Sequence, residues 1–215
     1  MIRRRRSTRE ARDRWVHGRT APIARLIASQ PVQAMITPRA ARVTDLIQLA
    51  PGKRYLDIGC GTAAYAHLLA NRARLTEPPI TMDLTSGPFP VDVIAAPEHL
   101  PFANESFDCI TSLYYIHRFD DDAVHAFAQE IRRILAPGGA ALVMDVAPVY
   151  NAALNRMHTW LMNAGAVTAD LRGWGRLAAL FTEAGYDAID LVNAGPFILP
   201  PVPRIGVLLR LADQP

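Results

Sequence analysis

The sequence of 215 residues has only two cysteines and no long apolar run. A membrane-spanning helix needs ~20 consecutive apolar residues, so no transmembrane segment is expected. Arg3 to Arg6 are not followed by the apolar stretch of a secretory signal. Cys60 lies in a glycine turn and Cys109 in an expected strand, which is typical of neither a disulfide framework nor a metal site. We therefore expect a reducing, cytoplasmic location and no bound metal.

Internal repeats and low-complexity segments are also missing, and the charge is unevenly placed. Half of the residues are apolar and a fifth are charged, as in one soluble domain. Nine arginines against Glu10 and Asp13 give residues 1–25 a charge of +7, whereas the whole chain carries +3. No aromatic ladder or recognition motif accompanies this segment, which argues against a nucleic-acid partner. We interpret residues 1–36 as a basic arm with N-terminal helices and residues 37–215 as the main domain.

Apolar patterns and turn residues predict alternating strands and helices. Strands are expected at residues 54–58, 80–82, 91–95, 107–113, 141–146, 187–192 and 205–211. Helices are expected at 8–30, 38–49, 63–73, 152–163 and 174–184, with a further helix that Asp120 caps and Pro137-Gly138-Gly139 ends. Only eight residues link Asp83 to Asp92, too few for a crossover helix, so this connection should be irregular. The alternation indicates an α/β, doubly wound, mostly parallel sheet.

The most informative segment is the first strand with the glycine turn that follows it. Gly59 and Gly61 allow a ligand to approach the backbone closely, and the pattern Gly59-x-Gly61-x-x-Ala64 leaves several nucleotide ligands open. Asp57 narrows the choice, because a carboxylate would repel a pyrophosphate and attract an amine or sulfonium. We therefore expect an adenosine-bearing ligand that is cationic at its far end, as S-adenosylmethionine is.

Four segments of the chain resemble those of class I S-adenosylmethionine-dependent methyltransferases of the small-molecule type, in the same order and spacing. They are residues 56–62 (LDIGCGT), 98–108 (EHLPF running into SFD), 113–117 (LYYIH) and 131–139 (IRRILAPGG). The resemblance covers about residues 53–146 and is looser beyond. It implies a Rossmann-like, seven-stranded, mostly parallel sheet with an antiparallel C-terminal strand, here preceded by an N-terminal helical extension.

The resemblance also implies which residues bind the cofactor. Asp57 and the turn Gly59, Cys60, Gly61 and Thr62 would hold the methionyl part. Asp83, followed by Leu84, would accept both ribose hydroxyls, although an ordinary strand-end turn is the alternative interpretation of Asp83. The remaining residues expected at this edge of the sheet are Ala96, Pro97, Glu98 and Ser112.

Ala96 is a departure from the family pattern. Many members carry an acid at this position, which accepts a hydrogen bond from the adenine amino group. Glu98 or a backbone carbonyl would have to serve instead in this chain.

His117 and Asp145 are the candidate catalytic pair. Methyl transfer to a hydroxyl needs a base, and a histidine that titrates near neutrality suits that task. By resemblance, His117 lies where some family members keep a base and Asp145 where they keep a supporting carboxylate, which would fix the imidazole tautomer. The alternative is that His117 only caps its loop and Asp145 is an ordinary strand-end carboxylate.

The expected acceptor is a small, apolar or aromatic molecule that is methylated at oxygen or at a ring carbon. The side chains that could line its pocket are Tyr114, Tyr115, Met157, Trp160, Phe197 and Leu199, although such residues are more often plain core. Three alternatives stay open: an RNA-modifying methyltransferase anchored by the basic arm, a non-catalytic cofactor-binding module and, more remotely, a nicotinamide oxidoreductase. The sequence does not indicate an oligomeric state.

Overall fold

The structure is a computed structural model that describes residues 40–85, 90–162, 170–186, 188–196 and 203–212, with only the backbone at 158–162 and 196. Several predictions from the sequence lie outside these residues. They are the basic arm and helices within residues 1–36, the domain boundary after residue 36, and the pocket residues Phe197 and Leu199. The side chain of Trp160 also falls outside.

The described residues form one seven-stranded sheet with helices on both faces. The strands are β1 (Tyr55–Ile58), β2 (Ile80–Asp83), β3 (Val93–Ile94), β4 (Phe107–Leu113), β5 (Leu135–Val146), β6 (Ala188–Pro196) and β7 (Pro203–Arg210). The helices are α1 (Ala40–Leu46), α2 (Ala64–Ala73), α3 (Asp121–Ile134), α4 (Ala152–Met162) and α5 (Trp174–Thr182), and a 3₁₀ turn covers Ile116–Arg118. The spatial order is β3-β2-β1-β4-β5-β7-β6; β7 pairs antiparallel with β5 and β6, and the other pairings are parallel. The predicted doubly wound α/β fold, with its antiparallel C-terminal strand, is confirmed.

The sheet separates two apolar cores because successive side chains of a strand point to opposite faces. Leu56 and Ile58 of β1 join α3 and α5 in one core, whereas Tyr55 joins α1 and α2 in the other. All four residues of β1 are buried, as expected for a central strand covered on both faces.

Helix α3 is built as the sequence predicts at its start. Asp120 is its N-cap, and the Asp120 side chain accepts a hydrogen bond of 2.9 Å from the backbone N–H of Ala123. Such a cap contributes about 1 kcal/mol to stability. The apolar stripe of α3 is buried against the sheet; its members are Val124, Phe127, Ala128, Ile131 and Ile134.

The prediction that Pro137-Gly138-Gly139 ends α3 and that the next strand begins at residue 141 is wrong. The helix already ends at Ile134, and β5 begins at Leu135. The register of β4 with β5 jumps from Phe107↔Leu135 to Cys109↔Ala140, so the Pro-Gly-Gly segment forms a bulge inside the strand. Gly138, at a φ of 68°, donates its N–H to the carbonyl of Ala212, and this C-terminal pairing holds the segment in the sheet.

Strand β3 is shorter than predicted. It covers only Val93–Ile94, because the Asp92 side chain, rather than a backbone carbonyl, accepts the N–H and hydroxyl of Thr81 at 2.8 and 2.7 Å. Within the described part of the β2–β3 connection there is no helix, in agreement with the predicted irregular link.

Candidate active site

The carboxyl ends of the central parallel strands meet at one edge of the sheet and bring the candidate residues together. The register pairs Ile58 with Met82 and with Ser112, and Ser112 with Val143. Consequently Asp57, Asp83, Ser112 and Asp145 all lie at this edge. Ligands of doubly wound sheets bind at this place, where the strand order reverses.

The glycine turn joins β1 to α2 with an unusual backbone. Gly59 and Gly61 have φ values of 74° and 55°, and Ala63 follows at 58°. The N–H groups of Gly59 and Cys60 both donate to the carbonyl of Met82, which ties the turn to the end of β2. A Cβ atom built on Gly59 would lie 2.4 Å from the ring of Tyr115, so this glycine is required by packing as well as by its φ.

Asp57 is buried beneath this turn, with 5% of its surface exposed. The Thr111 hydroxyl donates to Asp57 Oδ1 at 2.5 Å and lies 2.7 Å from the hydroxyl of Tyr55. Burial raises the pKa of Asp57 to about 7, and the nearby Asp83 carboxylate adds to the shift, whereas the Thr111 hydrogen bond opposes it. A cation bound beside Asp57 would be attracted to the ionised form and would favour it.

Asp83 holds the glycine turn in place. Its Oδ2 accepts the Gly61 N–H at 3.0 Å and its Oδ1 accepts the Leu84 N–H at 2.7 Å. Both bonds leave lone pairs on the carboxylate for further donors.

Burial, Asp57 and Asp83 raise the pKa of the Cys60 thiol, so Cys60 is a neutral contact and not a nucleophile. The Thr62 hydroxyl lies 3.4 Å from the N–H of Ala64, at the start of α2.

The segment that follows β3 carries Ala96, Pro97 and Glu98. The N–H of Ala95 donates to the carbonyl of Asp83, so this segment lies against the end of β2. Pro97 is buried, whereas Ala96 and Glu98 are partly exposed.

Two residues of α3 anchor this segment and were assigned no such role from the sequence. Glu130 accepts the N–H of Leu100 at 2.7 Å, and Arg133 donates to the carbonyls of Leu100 and Phe102 at 2.9 and 2.8 Å. These contacts join residues some 30 positions apart, and no local pattern indicates them.

Tyr115 lies in the core and against the glycine turn, not on the wall of an acceptor pocket. It is 1% exposed and packs edge-on against Phe119 and Phe127, with ring centroids 4.9 and 6.0 Å away. Its hydroxyl is buried and has no hydrogen-bond partner in the part of the chain that is described. Burial raises the pKa of Tyr115, and the carboxylates of Asp83 and Glu98 add to this effect.

Ser112 is completely buried, and its hydroxyl likewise has no partner among the described residues. It is a core residue one position before the end of β4. Among the residues considered for the acceptor pocket, Tyr114 is partly exposed and hydrogen-bonded to Arg204, and Met157 is 40% exposed.

His117 and Asp145 are in direct contact. The His117 backbone N–H donates to Asp145 Oδ2 at 2.8 Å, and His117 Nδ1 lies 3.0 and 3.1 Å from the two carboxylate oxygens. Each residue is only 5% exposed. With Asp145 accepting from Nδ1–H, the Nε2 atom of His117 is the acceptor nitrogen of the ring.

The described residues contain no group of three or more His, Cys, Asp or Glu side chains arranged to hold a metal ion. None of the helices in that part of the chain has both the length and the apolar character needed to cross a bilayer.

Comparison with known proteins gives a consistent result. The methyltransferase domain family matches residues 34–191. The chain is 33% identical to the uncharacterized methyltransferase YodH of Bacillus subtilis, over 46% of this chain and 45% of that protein. It is 26% identical to the 2-phytyl-1,4-naphtoquinone methyltransferase of Thermosynechococcus vestitus, over 57% of this chain and 59% of that protein. The chain therefore spans about half the length of these curated relatives.

A solved structure shares the fold. Phosphoethanolamine N-methyltransferase 2 of Haemonchus contortus, in complex with S-adenosyl-L-methionine, superposes with a TM-score of 0.66. The superposition covers 89% of this chain and 60% of that one, at 15% sequence identity. Because the family match extends over most of the sequence, the resemblance drawn from the four segments is confirmed, and the chain belongs to the methyltransferase domain family.

Proposed function

We propose that this protein transfers a methyl group from S-adenosyl-L-methionine to an oxygen or ring carbon of a small molecule, with S-adenosylhomocysteine as by-product. One observation carries the proposal. The Asp57–Gly59–Gly61 turn, joined to Asp83, lies at the same edge of the sheet as the buried His117–Asp145 pair. A binding site for a donor and a candidate base for an acceptor thus meet at adjacent strand ends.

The residues at this edge fit the proposed cofactor. The glycine turn leaves backbone exposed for close approach, and Asp83 has lone pairs to accept the two hydroxyls of a ribose. Tyr115, whose buried hydroxyl no described residue satisfies, packs against Gly59 of this turn. Asp57 disfavours a pyrophosphate and favours a cationic group, which suits a sulfonium amino acid better than a dinucleotide.

The cofactor supplies an activated methyl group, so the protein has chiefly to align the acceptor and to exclude water. For a hydroxyl acceptor, His117 would take the proton on Nε2, because Nδ1 faces the carboxylate of Asp145. Asp145 would stabilise the imidazolium that forms and keep the ring in one orientation. The backbone bond from the His117 N–H to the same carboxylate fixes the loop as well as the ring.

The names of the relatives support a small-molecule acceptor. One is named a naphtoquinone methyltransferase, and several others are named demethylmenaquinone methyltransferases. A quinol offers both a hydroxyl and a ring carbon, the two acceptor atoms proposed here.

The deciding experiment is incubation of the protein with methyl-labelled S-adenosyl-L-methionine and a metabolite extract, followed by identification of the labelled product. A labelled small molecule is the expected result. Donor binding by calorimetry without transfer to any component would instead indicate a non-catalytic binding module. Label that appears only in RNA would contradict the small-molecule acceptor.

A further inference from the structure

A buried arginine outside the catalytic pair contacts both sides of the loop that carries His117. Arg172 lies in the segment before α5, and its side chain is only 4% exposed. It donates through Nη1 to the carbonyl of Ile116 at 3.2 Å and through Nη2 to the carbonyl of Phe119 at 2.7 Å. These carbonyls stand one residue before and two residues after His117.

The same segment also binds the carbonyl of His117 itself. The N–H of Asp170 donates to it at 2.8 Å, and Arg172 in turn donates to both the carbonyl and the carboxylate of Asp170 at 3.0 Å. Arg172 and Asp145 line the same small cleft. Three carbonyls of the His117 loop, those of Ile116, His117 and Phe119, are therefore held from residues 170–172, while Asp145 holds the ring.

A guanidinium is suited to this arrangement. It is planar, always charged, and carries five donors in a fixed fork, so one side chain can satisfy several acceptors at once. Asp121, in the first turn of α3, accepts from Arg172 Nε at 2.6 Å and provides the opposite charge that a buried cation requires. The network thus links α3, the His117 loop and the segment before α5.

We propose that Arg172 is a positioning residue for the candidate base: it fixes the backbone of the His117 loop so that the imidazole meets Asp145 in one orientation. This inference rests on the proposed function, since positioning matters only if His117 acts as the base. The part of the proposal that concerns structure, namely that Arg172 fixes the His117 loop, can be tested without measuring methyl transfer.

The chain offers a matched control. Arg176, on α5, also binds Asp121, through Nε at 2.6 Å, but its side chain is 57% exposed. Among the described contacts it makes none with the His117 loop. Arg172→Met and Arg176→Met therefore both remove an arginine from Asp121, whereas only Arg172→Met removes the donors to Ile116 and Phe119.

The first measurement is amide hydrogen exchange by NMR on the full chain. We expect Arg172→Met to speed exchange of the His117 and Asp170 amides at least ~10-fold, with the core amides of α3 unchanged within ~2-fold. Arg176→Met should leave the His117 amide within ~2-fold of the wild type. If Arg172→Met unfolds the protein, Arg172→Lys, which keeps the charge but not the fork, should show the same local loss.

The second measurement is kinetic. Arg172→Met should lower kcat at least ~10-fold with the donor dissociation constant changed by less than ~2-fold, and Arg176→Met should change neither. Unchanged exchange at His117, or exchange that rises equally in α3, would overturn the positioning role. If local exchange rises but His117→Ala keeps full activity, the proposed base is wrong while the contact between Arg172 and the loop stands.

Discussion

The contact between His117 and Asp145 leads us to predict the effect of removing the imidazole on kcat. His117→Ala should lower kcat on a hydroxyl acceptor at least ~100-fold and leave donor affinity nearly unchanged, because the ring accepts a proton but does not hold the donor. The measurements are steady-state kinetics and donor calorimetry. His67→Ala, on the exposed face of α2, is the control and should behave as the wild type. A small loss at His117 would indicate a carbon acceptor or a base elsewhere.

Asp57 predicts a pH dependence of stability. Its pKa is about 7 in the folded protein, above the ordinary carboxyl value of 3.8, so the folded state retains a proton that the unfolded state loses between these values. The free energy of unfolding should therefore fall as pH rises from about 4 to about 7, and this contribution should change little above pH 7.

The test compares Asp57→Asn with the wild type by urea unfolding at pH 5 and pH 7.5. The asparagine cannot ionise, so its decline in stability over this range should be smaller by at least ~1 kcal/mol. Equal declines in the two proteins would show that Asp57 does not retain its proton on folding.

Individual site residues could be predicted from the sequence where they end a strand. Asp83 and Asp145 follow or close recognisable apolar runs, and parallel strand ends meet at one edge, so their proximity to the glycine turn could be inferred. The location of Tyr115 could not, since an aromatic residue after a strand can lie in a pocket wall as well as in the core, although the core is the commoner place. Arg172 was also missed, because its contacts join segments more than 50 positions apart.

The backbone geometry of the glycine turn predicts how much stability is lost when each glycine is replaced. Gly59→Ala should destabilise the protein by about 3 kcal/mol, because alanine is strained at this positive φ and its Cβ would overlap the Tyr115 ring. Gly61 has a similar φ, but the described residues place no atom within 4 Å of the added Cβ. Gly61→Ala is therefore the matched control and should cost only about 1 kcal/mol. Chemical denaturation measures both, and equal costs would contradict the role of Tyr115.

A helix or strand could be predicted from the sequence when the residues that define it are contiguous in the chain. Strand β4 and the N-cap of α3 follow from contiguous residues, and both are found where expected. The Pro-Gly-Gly segment was misread because its typical use is to end a helix. Here the N–H of Gly138 and the carbonyl of Gly139 pair with the chain just after β7, and this distant partner keeps the segment in the sheet. The length of strand β3 was overestimated because the Asp92 side chain, and not a backbone carbonyl, accepts the hydrogen bond from the N–H of Thr81.

Donor binding should be visible in the stability of the entire domain. At a donor concentration of ~100 times the dissociation constant, the folded state gains about 2.7 kcal/mol, which for a protein of this size raises Tm by roughly 5–10 °C. Asp83→Ala should weaken donor binding and reduce this rise, since it removes the expected ribose acceptor. Differential scanning fluorimetry measures the effect. Asp190→Ala, on the edge strand β6, should keep the full rise, and an undiminished rise in Asp83→Ala would contradict its assignment.

Tyr115 connects the glycine turn to the His117 loop from within the core. Its ring occupies the space that a side chain at Gly59 would need, and it precedes His117 by two residues. A methyl donor bound at the turn, as proposed, would therefore lie close to the short peptide that carries His117. We expect the two substrates to bind in a fixed order, the donor before the acceptor. The reason is that the bound donor would form part of the surface that the acceptor contacts.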